Sequence, residues 1–240
     1  MYPLSKPSLG DLEIEAVANV LRSGWIMQGP ETEAFEKEFA AYTGAKFAVA
    51  VANGTAALFL ALVAAGVGPD DEVITVSHSF IATANAIWQA GAKPVFVDVD
   101  PLTFNMDPDL AKRAITPATK AIVAVHQVGM PCALDEIRRI AVDNSLVLIE
   151  DAACAIGSEI RRETGRWERI GACAGSFACF SFHPRKVLTT GEGGMITSND
   201  SYLADKVRHL RQHALSRKPE GEVFDQPAFN FRLTDIQSAI

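Results

Sequence analysis

The chain has 240 residues, 48% of them hydrophobic and 21% charged, which suits one large globular domain or two small ones. Its formal net charge of -7 leaves no basic stripe for a nucleic-acid partner. No apolar run reaches transmembrane length and the opening MYPLSKPSLG is too polar for a signal peptide, so no membrane partner and a cytoplasmic location are expected.

In chain order, a polar opening leads into a helix at roughly Leu12 to Arg22, and then into the turn-rich SGWIMQGPET. Thr32 to Tyr42 reads as an amphipathic helix. An alternation then sets in. FAVAV (Phe47 to Val51) is a strand and TAALFLALVAAG a helix ending at Gly66; EVITV (Glu72 to Val76) is a strand and ATANAIWQAG a helix stopped by Gly91. PVFVDV (Pro94 to Val99) and AIVAVH (Ala121 to His126) are strands, each followed by a helix, DPDLAKRAI and ALDEIRRIAVDN. LVLIE (Leu146 to Glu150), FACFSF and GMITS (Gly194 to Ser198) complete seven strands, with RRETGRWERIG a polar hairpin or surface loop before the sixth. Strands that are apolar throughout and alternate with helices imply an α/β sheet covered on both faces. The cysteines Cys132, Cys154, Cys173 and Cys179 form no CxxC pair and no metal spacing with histidine, so reduced thiols and no metal site are expected.

Sheets of this kind bind ligands where strand carboxyl ends meet helix amino ends. After FAVAV comes Ala52-Asn53-Gly54-Thr55, which is either an anion site at a helix N-terminus or a plain helix cap. After EVITV, Phe80 is a ring platform or a core residue. After LVLIE, Asp151 follows four apolar residues; it is a helix cap, or a carboxylate that needs a cation to be buried. FACFSF breaks at His183-Pro184, since Pro184 cannot donate to a ladder, and Lys186 sits just past that end. Desolvation lowers an ammonium's pKa, so Lys186 is a candidate Schiff-base nucleophile; the alternative is a solvated loop lysine. Together the four strand ends offer an anion site, an aromatic, a carboxylate and a lysine. Pyridoxal phosphate requires that set.

The chain resembles the DegT-type nucleotide-sugar aminotransferases, a family of fold-type I pyridoxal phosphate enzymes. The resemblance runs nearly end to end through SGWIMQGP, NGTAAL, SFIATANAI, AGAKPVFVDVDPLTFNMDP, VHQVGMP, LIEDAACAIGSEI, FSFHPRKVLTTGEGGM and FNFRLTDIQ. It implies a seven-stranded, mostly parallel mixed sheet with helices on both faces. By that resemblance Lys186 carries the Schiff base to pyridoxal 5'-phosphate and Asp151 pairs with the ring nitrogen. Phe80 stacks on the ring, and Gly54, Thr55 and Ser181 hold the phosphate. Asn230 reaches the phosphate of the neighbouring subunit, which implies a homodimer with shared active sites. The family moves an amino group, usually from glutamate, to a keto-sugar of a nucleotide sugar, as in amino-sugar and polysaccharide biosynthesis.

Two departures stand out. Cys154 occupies a position where many members have Gln or His, three residues after the aspartate. The chain also stops at Ile240, within the helix opened by TDIQSAI. Residues 1–240 are therefore expected to form the pyridoxal-phosphate-binding large domain with an N-terminal helical segment, without the family's small C-terminal domain. One rival is a sugar dehydratase or lyase on the same scaffold; members that deoxygenate carry histidine in place of the lysine, so Lys186 argues against it. A non-catalytic cofactor-binding regulator is the other.

Overall fold

The computed structural model describes residues 5–172, 174–219 and 221–240. Cys173 therefore lies outside the described residues, as does the start of MYPLSKPSLG. Helices α1 (Asp11–Ser23) and α2 (Pro30–Thr43) lead into β1 (Phe47–Val51), α3 (Gly54–Ala64), β2 (Glu72–Val76), α4 (Ala82–Gln89) and β3 (Lys93–Val97). There follow α5 (Pro108–Arg113), β4 (Thr119–Val125), α6 (Leu134–Asp143), β5 (Val147–Asp151), a hairpin of β6 (Glu159–Arg161) and β7 (Trp167–Arg169), and then β8 (Phe177–Ser181). The remainder is β9 (Gly194–Ser198), α7 (Ser201–Leu210), a second hairpin of β10 (Leu215–Lys218) and β11 (Gly221–Phe224), and α8 (Asp235–Ser238).

Seven strands form one sheet in the order β1-β9-β8-β5-β4-β2-β3, the seven expected from the sequence. All run parallel except β9, which is antiparallel to both of its neighbours, β8 and β1. The strands are apolar at successive positions because each face has its own cover. Ala48, Ala50, Ile74, Ile122, Leu148 and Phe180 point to one side, where Phe39 of α2 and Leu134, Ile137 and Ile140 of α6 pack on them. Val49, Val51, Val73, Val123, Ile149 and Phe177 point to the other, under Ala57, Leu60 and Ala61 of α3, Ile87 of α4 and Val207 of α7. Helix α3 is buried on nearly every side, so it shows no polar stripe, whereas α6 keeps Arg138 and Arg139 in solvent.

Several boundaries differ from the sequence reading, among them the fourth strand, which runs from Thr119 to Val125 rather than from Ala121 to His126. The third strand ends at Val97 rather than Val99, which keeps only an isolated bridge to Met106. The fifth strand extends to Asp151, whose backbone pairs with Val125 and Cys179 on either side. The hairpin β10–β11 was not anticipated, since SRKPEGEVF has neither apolar alternation nor a two-residue hairpin turn signal. At the amino end, Asp235 of α8 is buried and caps α2 from afar. Its carboxylate accepts from the Gly29, Glu31 and Thr32 N–H groups and from Thr32 Oγ1. Among the described residues no helix is long and apolar enough to cross a membrane, and no three His, Cys, Asp or Glu side chains cluster as a metal site.

Candidate active site

The parallel strands bring their carboxyl ends to one edge of the sheet, and there a cavity of about 610 Å³ opens. Its lining includes Gly54, Thr55, Phe80, Asp151, Ser181 and Lys186, so six of the residues singled out in the sequence converge on one space. Asn230 does not join them. Its Oδ1 accepts from the Arg232 N–H at 3.2 Å, while its neighbour Phe231 enters the lining.

One end of the cavity is built by three adjacent strands. Val51, Gly194 and Ser181 lie side by side across β1, β9 and β8, which sets the start of α3 against the end of β8. Asn53 caps that helix, its Oδ1 accepting from the Ala56 N–H at 2.8 Å. The first-turn amides beyond the cap, with the positive end of the helix dipole, face the cavity beside Ser181. The approach is close enough to require glycine: a Cβ on Gly54 would come within 2.7 Å of Ser181 Cβ. The aligned glycine on β9 is as constrained, since a Cβ on Gly194 would meet the Asn53 carbonyl at 2.5 Å.

Asp151 forms the floor. It is 6% exposed, so both oxygens must find donors within the protein. Oδ2 accepts from Thr83 Oγ1 at 2.7 Å and Oδ1 from the Ala153 N–H at 3.2 Å. Thr83 in turn bonds Ser79 Oγ at 2.8 Å, so the hydroxyl that orients the carboxylate is itself held. Burial pushes the Asp151 carboxyl above its usual range, against the pull of the Thr83 hydroxyl and the Ala153 N–H. Lys186 and His126 act on it as weaker charges, and among the described residues none forms an ion pair with it, so a cation entering the cavity would meet an unpaired carboxylate. Thr83 was not singled out from the sequence, where a threonine three residues past Phe80 reads as part of the helix. Its backbone is in α4, and only the fold turns its hydroxyl to Asp151.

Behind this floor His126 and Glu150 form a fully buried pair, Nε2 to Oε2 at 3.2 Å. The Cys132 N–H donates to His126 Nδ1, so Nε2 carries the proton and donates to Glu150. Glu150 Oε1 also accepts from the Gly175 N–H.

Lys186 stands above, in the turn after β8. Its N–H donates to the His183 carbonyl, and Thr189 Oγ1 closes the same loop onto the Phe182 carbonyl. The side chain is half-buried and Nζ donates to Cys154 Sγ at 2.9 Å. Cys154, which departs from the usual Gln or His, thus lies against the lysine. Cys132 and Cys154 are free thiols. Phe80 is 78% exposed at the cavity mouth and does not belong to the core, which removes one of its two readings. Phe59 and Phe231 add apolar wall; Phe231 is carried there because its backbone bonds Ala52 at the end of β1 and Arg211 after α7.

The arrangement suits an elongated ligand. An anionic end would meet the start of α3 and Ser181, a flat ring would lie against Phe80, a basic ring nitrogen would face Asp151, and an electrophilic carbon would reach Lys186.

A model of the DegT/DnrJ/EryC1/StrS aminotransferase family matches residues 7–240. The spore coat polysaccharide biosynthesis protein SpsC of Bacillus subtilis (strain 168) is 44% identical over 247 residues, a span of 99% of this chain and 62% of SpsC. Among solved structures, Spr1654 from Streptococcus pneumoniae, in PMP and PLP forms, is 31% identical with a TM-score of 0.91, covering 99% of this chain and 64% of that one. DesI, solved in the presence of its TDP-sugar product, is 34% identical with a TM-score of 0.87, over 98% of this chain and 57% of DesI. The chain therefore spans less than two thirds of each of these relatives.

Proposed function

Because this chain belongs to the DegT/DnrJ/EryC1/StrS aminotransferase family, we propose that it forms the cofactor-binding part of a pyridoxal-phosphate-dependent sugar aminotransferase. The amino group comes from glutamate and is delivered to a keto-sugar carried on a nucleotide. The observation that carries the reading is the convergence of Lys186, Asp151, Phe80 and the α3 amino end on one cavity. The TDP-sugar product of DesI and the PLP and PMP forms of Spr1654 support the substrate and the cofactor.

The residues present fit the cofactor. Gly54 lets the start of α3 pack directly against Ser181, so that the first-turn amides and the Ser181 hydroxyl line the same end of the cavity, and Asp151 is a buried carboxylate facing that cavity. In this reading Thr55, Ser181 and the free amides of α3 hold the phosphate, and Phe80 lies on the ring. Asp151, oriented by Thr83, keeps a proton on the ring nitrogen. When bound, pyridoxal phosphate supplies a ring that takes up the electron pair left on the substrate carbon. Lys186 would anchor the cofactor through its Nζ and, once that amine is freed, would accept and return a proton there, held in place by a fixed turn. Cys154 holds the Lys186 amine inside the mouth of the site. Lys186 also weighs against the lyase reading, in which a histidine stands at this position. The first half of the cycle is testable alone. Glutamate added to the cofactor-loaded protein should release one equivalent of 2-oxoglutarate per site with loss of the visible absorbance band. Release of no keto acid would leave only a cofactor-binding role.

Assembly belongs to the same proposal. Asn230 lies outside its own cavity, on an exposed segment, which supports a homodimer in which it adds a donor to the partner's phosphate. Mixing Lys186→Ala with Asn230→Ala protein under subunit exchange creates one site with both defects and one with neither. Activity should reappear. No recovery despite proven exchange would mean that each subunit builds its own site.

A further inference from the structure

The charge at the mouth of the cavity is lopsided, and one cation there has no ion-pair partner among the described residues. Of the described residues lining the cavity, only Arg185 and Lys186 are lysine or arginine. Lys186 Nζ is committed to Cys154. Arg185 is exposed, and among the described residues no carboxylate lies within ion-pair distance of its guanidinium. The two lining carboxylates do not occupy it: Asp151 is held on the floor by Thr83 and Ala153, and Glu192 makes no ion pair with it.

The backbone that presents Arg185 is fixed. Its N–H donates to His183 Nδ1 at 3.2 Å, the next N–H donates to the His183 carbonyl at 2.8 Å, and Pro184 locks the residue between. The guanidinium therefore starts one residue from the reactive amine, on a turn that does not have to reorganise. The surrounding field makes such a cation useful. With a formal net charge of -7, the chain repels anions at long range, yet both substrates of the proposed reaction are anionic. The amino-acid donor carries carboxylates and the sugar carries a diphosphate. A planar guanidinium pairs with either through two parallel N–H···O bonds, which gives orientation as well as charge.

We infer that Arg185 is a substrate-binding residue that reads an oxyanion, carboxylate or diphosphate, at the mouth of the cavity. The inference rests on the aminotransferase reading for the identity of the substrates, and on the geometry alone for the existence of the anion site. It is tested by calorimetric titration of the cofactor-loaded protein with two probes, glutarate for the donor and TDP for the nucleotide sugar. Arg185→Gln should weaken at least one probe about 10- to 100-fold, the cost of removing a charged hydrogen-bond donor. Arg185→Lys should recover only part of the loss, because an ammonium lacks the fork. A loss confined to glutarate assigns the residue to the donor, one confined to TDP to the diphosphate, and a loss of both to a subsite the two substrates occupy in turn. Failure of both probes to bind the parent, or binding within about twofold in parent and Arg185→Gln protein, overturns the inference. Borohydride trapping separates this from the wider reading. Cofactor fixed on Lys186 with Arg185-independent binding removes only the anion site. Arg185-dependent TDP binding without cofactor on Lys186 keeps the site and removes the transamination.

Discussion

Lys186→Ala is expected to abolish transamination while leaving the fold unchanged. The side chain makes one polar contact, the 2.9 Å bond to Cys154 Sγ, and Cys154 is exposed enough for water to replace it. No buried group loses a partner, so thermal unfolding should stay close to that of the parent. Chemistry has no such substitute. In the proposed mechanism the amine both anchors the cofactor and moves the proton, and loss of positioned proton transfer alone costs roughly 100- to 10,000-fold. Turnover of the alanine variant, measured beside its circular dichroism, checks both halves of this expectation. A folded variant with near-parental turnover would remove Lys186 from the mechanism.

Asp151→Asn is expected to divide activity from stability. Removing the charge proposed to face the ring nitrogen should cost a hundredfold to a thousandfold in turnover, the usual scale for one preorganised electrostatic partner in a closed site. The same change should stabilise the cofactor-free protein at neutral pH. Burial raises the carboxyl's pKa above its unfolded value, so the folded state holds the proton more tightly than the unfolded chain does. The stability tied to that proton is fully present below about pH 4 and is lost as pH rises through the folded value. An asparagine never ionises, and it keeps an oxygen for one donor while the Thr83 hydroxyl accepts from its amide. The melting temperature of cofactor-free Asp151→Asn protein should therefore exceed that of the parent at pH 7, and the gap should close towards pH 4. A gap of constant size across that range would mean that the carboxylate pays no desolvation penalty.

Much of this architecture was legible because its physics is local. FAVAV is apolar at every position, and EVITV and FACFSF are apolar at most of theirs, since α2 and α6 cover one face of the sheet and α3, α4 and α7 the other. Glycine clusters and breaks at strand ends marked where the chain turns back, and residues just past those ends are the ones a parallel sheet delivers to a single edge. Gly54, Asp151 and Lys186 were found that way. What could not be read is what depends on contact across the fold. Thr83 and Asp151 are 68 residues apart, and nothing near Thr83 announces the bond. Lys186 and Cys154 are 32 apart, and their contact follows from the neighbouring positions of β5 and β8 in the sheet. Arg185 gives no signal in the sequence beside the more conspicuous Lys186, because only its lack of a carboxylate partner among the described residues, at the mouth of the cavity, singles it out. The hairpin β10–β11 escaped for another reason: charged residues hold it at the surface, so no apolar period betrays it.

The most direct test of the account is chemical. Protein loaded with pyridoxal phosphate is reduced with borohydride, digested, and searched for the peptide that carries the cofactor. The account predicts a single modified peptide containing FSFHPRK, with the label on Lys186 and none in the Lys186→Ala variant. Cofactor fixed on any other lysine, or none fixed at all, would contradict it.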